Sequence, residues 1–134
     1  MALCLEITTP EGVVLETEVE TVSVPTARGE ITILAGHQPL AALIEPGILH
    51  YGCGGGENSL AVDSGFLCIQ EDRVYAIVDQ AVNVIQIDPS EAEMARQRAE
   101  LALEEAKKNQ ADRGEIAHLE AKIRYQVVKS SAKQ

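Results

Sequence analysis

The period of the hydrophobic pattern changes once along this chain, near Gln86. Before that point apolar and polar residues alternate, as over residues 3–7, and after it apolar residues recur every three or four positions. Alternation is typical of half-buried β-strands, and the longer period is typical of amphipathic helices. The sequence therefore predicts two domains, a β domain over residues 1–86 and a helical domain over residues 87–134.

Short apolar runs separated by turn-forming residues fill the first domain. Many short strands of this kind predict a β-sandwich or barrel, and we expect about 8–10 strands. Within the run over residues 59–63, Leu60 and Val62 are expected on the buried face, and Ala61 and Asp63 on the exposed face. Turns are expected where proline, glycine and acidic residues cluster, at residues 10–12, 46–47, 52–56 and 71–72.

Two amphipathic helices are predicted in the second domain. Asp88 can cap the free N–H groups of the first helix, and Pro89 suits its first position. Residues 109–112 break the pattern, and a second apolar stripe follows them. Because the connection is short, we expect an antiparallel hairpin. The predicted fold class is therefore β + α, with an N-terminal β-sandwich followed by a C-terminal helix-loop-helix.

The contact between these helices is expected to be rich in alanine on one side. An alanine stripe permits close approach but buries little apolar surface, since each CH₂ group contributes about 0.8 kcal/mol. We therefore predict helices that are well formed but weakly held together, and able to separate. The predicted seam consists of Ala95, Ala99, Ala102, Ile116, Leu119 and Ile123, with Ala92, Ala106 and Val127 continuing the two stripes.

The negative charge of the chain is concentrated in the β domain. The formal net charge is −10, and residues 1–85 hold 12 of the 21 acidic side chains but only Arg28 and Arg73 as bases. Binding to a nucleic-acid backbone needs Lys and Arg, and base stacking needs aromatic rings, whereas this chain has no Trp and one Phe. We expect no nucleic-acid partner.

No motif in the sequence assembles a catalytic or metal-binding group. The chain lacks GxSxG and HExxH motifs, and no Lys follows the glycines at 54–56, which predict a hairpin tip rather than a phosphate-binding loop. The three cysteines form no CxxC pair, and His50 with Cys53 would be half of a metal site that nothing nearby completes. We expect neither enzymatic activity nor a bound metal.

The stretch from Arg28 to Leu40, RGEITILAGHQPL, resembles the signature of the epsilon subunits of bacterial F-type ATP synthases. In that family a Gly-Glu strand leads into Pro-Gly-His-x-Pro-Leu. This chain keeps the Gly-Glu, the Gly-His and the Pro-Leu, and departs from the family pattern at Thr32 and Ala35. The resemblance extends over nearly the whole chain, because the last strands, the domain junction and the first helix also match.

The resemblance implies a non-catalytic subunit of the central stalk, or rotor, of an ion-translocating ATP synthase. In this family one end of the sandwich rests on the polar loops of the c-ring, and its side contacts the gamma subunit. By position, Glu30 is expected to face the c-ring loops and His37 to lie near gamma, with Arg28 in the same contact region. The alternative is a solvent-facing strand carboxylate for Glu30 and an ordinary loop residue for His37.

The helical hairpin is the regulatory part of the family that this chain resembles. Folded on the sandwich it permits turnover, and extended along gamma it reaches an acidic loop of the beta subunits and inhibits ATP hydrolysis. The resemblance therefore implies gamma, the c-ring and beta as partners. Lys122, Arg124, Lys129 and Lys133 would supply positive charge for the inhibitory contact, and the alternative for each is a solvated helix face.

Some members of the family bind ATP on the folded hairpin, through an Ile-Asp-x-x-Arg-Ala motif and a further arginine. Asp88 and Arg98 match, but Glu91 stands where the first arginine is expected. A carboxylate at that position repels a triphosphate that a guanidinium would pair with. We expect no cofactor and weak or absent ATP binding, because Asp88 is also explained as a helix cap.

Two other functions remain open from the sequence alone. The acidic sandwich could present its hairpin as an interaction adaptor unrelated to ATP synthase, or the β domain could hold the pocket of a small enzyme. The resemblance favours the stalk subunit and implies a peripheral position on the cytoplasmic face of the bacterial inner membrane. No signal peptide and no run of about 18 apolar residues is found, so membrane association is expected only through the complex.

Overall fold

Ten strands, a short 3-10 helix and two α-helices make up the described part of the chain. The structure is a computed structural model that describes residues 2–53 and 56–132. The predictions for glycines 54 and 55 and for Lys133 lie outside these residues. The strands are β1 (Leu3–Thr9), β2 (Gly12–Val19), β3 (Thr21–Thr26), β4 (Gly29–Leu34), β5 (Leu40–Ile44), β6 (Gly47–Cys53), β7 (Gly56–Val62), β8 (Gly65–Gln70), β9 (Arg73–Val78) and β10 (Ala81–Asn83), and the 3-10 helix (Val84–Gln86) leads to α1 (Pro89–Lys108) and α2 (Arg113–Ala132).

The ten described strands form two layers of five. The ladder runs β10-β7-β6-β3-β5-β8-β9-β1-β2, and β4 pairs with the other edge of β3. A single residue pair, Thr26 with Ile44, joins β3 to β5. This joint divides the ladder into one layer of β4-β3-β6-β7-β10 and another of β5-β8-β9-β1-β2. The predicted β-sandwich followed by a two-helix hairpin is confirmed.

Alternation along the strands directs every second side chain between the two layers. Leu3, Leu5 and Ile7 of β1 are buried, as their period of two predicts. Both layers contribute to one core, which stabilises the sandwich as a platform for the hairpin. The other buried members of that core are Val19, Val22, Val24, Ile33, Ile44, Leu49, Leu60, Val62, Leu67, Ile69, Val74, Ala76 and Val78.

Strand β7 departs from the alternation that the sequence predicts. Leu60 and Val62 face the core as expected, but Ala61 and Asp63 are buried as well. The prediction that Ala61 and Asp63 face solvent is wrong, because this side of β7 is not open to water. Ala61 packs against Tyr125 of α2, which covers the outer side of the strand.

Side-chain caps fix where the two helices begin. Asp88 Oδ1 accepts hydrogen bonds from the backbone N–H groups of Ser90 (3.0 Å) and Glu91 (3.5 Å). Asp112 Oδ1 likewise accepts from the N–H of Glu115 (2.8 Å). Each cap pairs donors that the first helical turn leaves free. The connection at residues 109–112 agrees with the predicted break, and neither helix of the described chain could span a membrane.

Most residues of the predicted seam are buried or half-buried, with two exceptions. Ala102 and Val127 are exposed, and the half-buried Leu103 takes the place expected of Ala102. Alanine spacing could not settle this point, because Ala102 and Leu103 both continue the stripe. The seam residues that are buried or half-buried are Ala92, Ala95, Ala99, Ala106, Ile116, Leu119 and Ile123.

Candidate functional site

One outer side of the sandwich is a row of apolar side chains that lies under α2, and we call it the covered face. Strand register places Ile48, Ala61 and Val82 side by side across β6, β7 and β10. Tyr125 of α2 packs on this row with 1% of its surface exposed. Its hydroxyl donates a hydrogen bond to the carbonyl oxygen of Ala61, at 3.3 Å. Tyr125 is therefore the anchor of the hairpin on the sandwich.

Two of the basic residues of α2 that the sequence singled out pair with carboxylates of the sandwich, and the third lies over the ring of Tyr125. Lys122 Nζ lies 3.6 Å from Asp79 Oδ2, and an Arg124 guanidinium nitrogen lies 3.5 Å from Glu45 Oε2. Lys129 Nζ lies 5.3 Å from the centre of the Tyr125 ring. Exposed ion pairs of this kind contribute only about 0–1 kcal/mol each, so they orient α2 more than they hold it.

Asp63 is a buried carboxyl group at the end of the same row. It follows β7 two residues after Ala61, so it lies on the same side of the strand, and it is 1% exposed. The Ser64 N–H donates to Asp63 Oδ1 at 2.7 Å. Burial raises the pKa of Asp63, and the neighbouring Lys122 works against that rise. Burial, together with the charge of Asp63, also raises the pKa of Tyr125.

The opposite outer side of the sandwich carries a second apolar row, which no residue in the described part of the chain covers, and we call it the open face. Register across β5, β8 and β9 places Leu43 beside Phe66 and Phe66 beside Ile77. These side chains are 54%, 63% and 53% exposed, respectively. Large apolar residues that are contiguous and exposed mark interaction surfaces in soluble proteins. The open face is therefore the candidate docking surface of the sandwich.

Backbone packing at Gly65 sets the register of the open face. A Cβ atom at Gly65 would collide with the backbone of Ile77 and Val78. Only glycine allows β8 to begin this close to β9, and the next residue, Phe66, then projects between Leu43 and Ile77. Steric exclusion of a Cβ atom therefore explains why glycine stands between Ser64 and Phe66 in the sequence.

Two features border the open face. A groove of about 570 Å³ runs along β5, where Leu40 and Phe66 line it and Arg28 is its one charged lining residue. On the other side, beyond β9, Glu6 of β1 lies directly opposite Glu16 of β2. A partner that fits this surface has an apolar centre, and Lys or Arg where it meets the acidic strands.

Arg28, Glu30 and His37 do not form one cluster. Arg28 lies in the turn between β3 and β4, and the exposed Glu30 lies next to that turn, paired with Pro25. His37 lies beyond the other end of β4, half-buried, and its Nδ1 is 2.6 Å from the carbonyl oxygen of Gln38. The residues expected to meet the c-ring and gamma thus occupy opposite ends of one edge strand.

Asp88, at one of the positions that bind ATP in some family members, acts instead as a helix cap. The Asp88 carboxylate accepts from the N–H groups of α1, and both Glu91 and Arg98 are exposed. No bound nucleotide is needed to explain any contact of Asp88. Among residues 2–53 and 56–132, no cluster of His, Cys, Asp or Glu is placed to hold a metal ion.

Sequence reasoning missed Tyr125, Asp63 and the open face. Tyr125 lies outside the stripe of α2 that meets α1, and a lone aromatic residue away from the stripe was the available signal. For the open face, the signal was two large apolar residues in succession, Leu43 with Ile44 and Phe66 with Leu67. Alternation would have put a polar residue at the first position of each pair.

Comparisons with known proteins agree on one family. Residues 2–84 match the family described as ATP synthase, Delta/Epsilon chain, beta-sandwich domain. The ATP synthase epsilon chain of Herpetosiphon aurantiacus is 39% identical over 130 residues, covering 96% of each chain. That of an Anaeromyxobacter species is 41% identical over 100 residues, covering 75% of this chain and 76% of the relative. A chain of the Euglena gracilis mitochondrial ATP synthase shares the fold, with a TM-score of 0.76 at 23% identity, covering 99% of this chain and 82% of that one.

Proposed function

The chain belongs to the ATP synthase epsilon-chain family and is a non-catalytic stalk subunit of that complex. We propose the following role for each of its surfaces. The open face docks on the gamma subunit, one end of the sandwich rests on the c-ring, and the hairpin restrains ATP hydrolysis. Family membership excludes the unrelated adaptor and the small enzyme that the sequence left open.

Exposure of the open face supports docking on gamma, and this observation carries the proposal. Leu43, Phe66 and Ile77 lie in one row, and burying each side chain would contribute about 1.5–3 kcal/mol. Aromatic residues at the centre of an interface commonly dominate its binding energy. Phe66 has that central position. The acidic strands beside it would set the orientation of a basic partner surface more than its affinity.

The turn between β3 and β4 supports contact with the c-ring. Glu30 is exposed there, and Arg28 lies beside it, so the turn offers both signs of charge to polar loops. His37 lies at the far end of β4 and cannot share that surface. We assign Arg28 and Glu30 to the ring and His37 to the neighbourhood of gamma.

The contacts of α2 support a hairpin that can leave the sandwich. Its anchor is one aromatic ring, and its exposed ion pairs are individually weak. Lys122 and Arg124 would exchange the sandwich, and Lys129 the ring of Tyr125, for an acidic surface of the beta subunits when the hairpin extends. A complete reversal of a two-state equilibrium needs about 5.5 kcal/mol of differential interaction, which such contacts bring within reach.

The two domains have separate roles in this proposal. Residues 1–86 act as the docking domain, and residues 87–134 act as the regulatory domain. The chain lies peripherally at the cytoplasmic face of the bacterial inner membrane and is held there through the complex.

ATP does not regulate the chain in this proposal, because the Glu91 carboxylate opposes a triphosphate and Asp88 is used as a helix cap. Calorimetry that detects a micromolar ATP site on the isolated chain would overturn this point.

Reconstitution tests the proposal. The chain is added to an ATPase depleted of its epsilon subunit, and bound protein and hydrolysis rate are measured together. We expect binding with reduced hydrolysis. A variant whose hairpin is tied to the sandwich by an engineered disulfide should bind equally well and inhibit less, and it should regain inhibition after reduction. If the tied variant inhibits as strongly as the free one, the hairpin is not the inhibitory element.

A further inference from the structure

Asp63 is the one buried carboxyl group among the described residues, and it lies where the hairpin meets the sandwich. Its partners for hydrogen bonding come from its own turn, since the N–H and Oγ of Ser64 lie 2.7 and 3.3 Å from Oδ1. Two hydrogen bonds from one neighbour stabilise an ionised carboxylate only in part when water is excluded.

Charged and titratable groups face Asp63 from two other elements. Lys122 and Tyr125 approach from α2, and Asp79 approaches from the turn between β9 and β10. Lys122 Nζ lies 3.6 Å from Asp79 Oδ2, so the cation that α2 brings near Asp63 is paired with another carboxylate. Asp63 is therefore buried beside α2 with a cation that only partly offsets its charge.

We propose that Asp63 makes closure of the hairpin depend on pH, because it is a buried carboxyl group beside α2 whose hydrogen-bond donors come from Ser64 alone and whose neighbouring lysine is paired with Asp79. The inference rests on the proposed function, since it names what regulates the contact between α2 and the covered face.

The environment of Asp63 determines in which direction pH shifts the closure of the hairpin. Burial, and to a smaller extent Asp79, raise the pKa of Asp63 above its ordinary value of 3.8, while Ser64 and Lys122 oppose the rise. When the hairpin opens, the group returns to water and its pKa falls toward that value. Asp63 thus favours closure below the open-state pKa, and this contribution is lost as pH rises through the closed-state pKa. Each unit of difference between the two pKa values changes the closing equilibrium about tenfold.

An NMR titration of the isotopically labelled full chain tests the inference. The ¹³Cγ signal of Asp63 reports its protonation, and the ring signals of Tyr125 report whether α2 is packed on the sandwich. We expect Asp63 to titrate above 3.8, with the packed fraction of Tyr125 falling over the same range. Asp63→Asn should abolish that fall and raise the packed fraction at neutral pH.

Two variants distinguish this role from a merely structural one. Asp79→Asn removes a like charge and should lower the titration midpoint of Asp63, whereas Lys122→Met removes the cation and should raise it. Titration of Asp63 at its ordinary pKa, or a pH dependence that persists in Asp63→Asn, would overturn the inference. The titration uses the free chain, so a failure of inhibition in the assembled ATPase counts against the proposed function and leaves this result standing.

Discussion

The covered face and the open face of the sandwich each carry a row of apolar side chains, yet they are built for opposite roles in a contact. The covered face has a small residue, Ala61, at its centre, and a ring from α2 fills the space above it. The open face has a large residue, Phe66, at its centre, and that ring projects outward. One face receives an anchor from the same chain, and the other offers an anchor to a partner.

Under the proposed function, this difference distinguishes a reversible contact from a lasting one. The covered face contacts α2 through the Tyr125 ring, the half-buried Val128 and two ion pairs, which suits the proposed departure of the hairpin. The open face presents three large side chains in register, which suits a partner that stays bound during rotation.

The largest effect is expected at the anchor of the covered face. Tyr125→Ala removes a buried aromatic ring, and such truncations cost about 3–5 kcal/mol, so the closed hairpin should be disfavoured by more than 100-fold. Hydrogen exchange of α2 amides measures the opening, and melting of the sandwich should change little. Tyr125→Phe is the control, because it loses only the bond to Ala61, worth about 1 kcal/mol. Equal effects of the two variants would show that ring burial is not the anchor.

The next effect is expected at the centre of the open face. Phe66→Asp places a carboxylate in the proposed gamma contact and should weaken binding by about 3 kcal/mol, roughly 100-fold. Because Phe66 is already exposed, the free chain should keep its melting temperature. Leu101→Asp is the matched control, since Leu101 is 64% exposed but lies on α1. Binding to an epsilon-depleted ATPase is measured for both, and similar losses would count against the open face as the docking site.

A smaller effect is expected at the seam of the hairpin. Replacing Ala95 and Ala99 together by leucine should overpack the seam at a cost of about 1–3 kcal/mol and push α2 away from its closed position. The yield of an engineered cysteine cross-link between hairpin and sandwich should fall. Ala102→Leu should leave the yield unchanged, because Ala102 is exposed. An unchanged yield in the double variant would contradict the idea that the alanine seam tunes the switch.

The smallest effect is expected at the ion pair between Arg124 and Glu45. Arg124→Glu should disfavour closure by about 0.5 kcal/mol, a roughly twofold change, and the added exchange Glu45→Lys should restore it. High salt should remove the difference, since exposed charges are screened. A large effect that salt does not alter would mean that this pair is buried when the hairpin closes.

The architecture could be predicted from the sequence, but the faces of the sandwich could not. Period-two and helical patterns identified the strands and both helices, and Asp88 marked the start of α1 because capping depends on neighbouring residues only. Ala61 is buried because Tyr125, 64 residues further along the chain, packs on it, and no local sequence pattern reports such a contact. Arg28, Glu30 and His37 were named by family position, and their placement on opposite ends of β4 needed the strand pairing.

Hydroxyl-radical footprinting of Phe66 and Tyr125 tests the contrast between the two faces most directly. Phe66 is the only phenylalanine of the chain, so its oxidation is unambiguous. In the free chain, we predict a reactive Phe66 and a protected Tyr125. In the assembled ATPase under inhibition, Phe66 should become protected while Tyr125 loses its contact with Ala61 and changes in reactivity. A Phe66 that stays as reactive in the complex as in the free chain, with an unchanged Tyr125, would contradict the account.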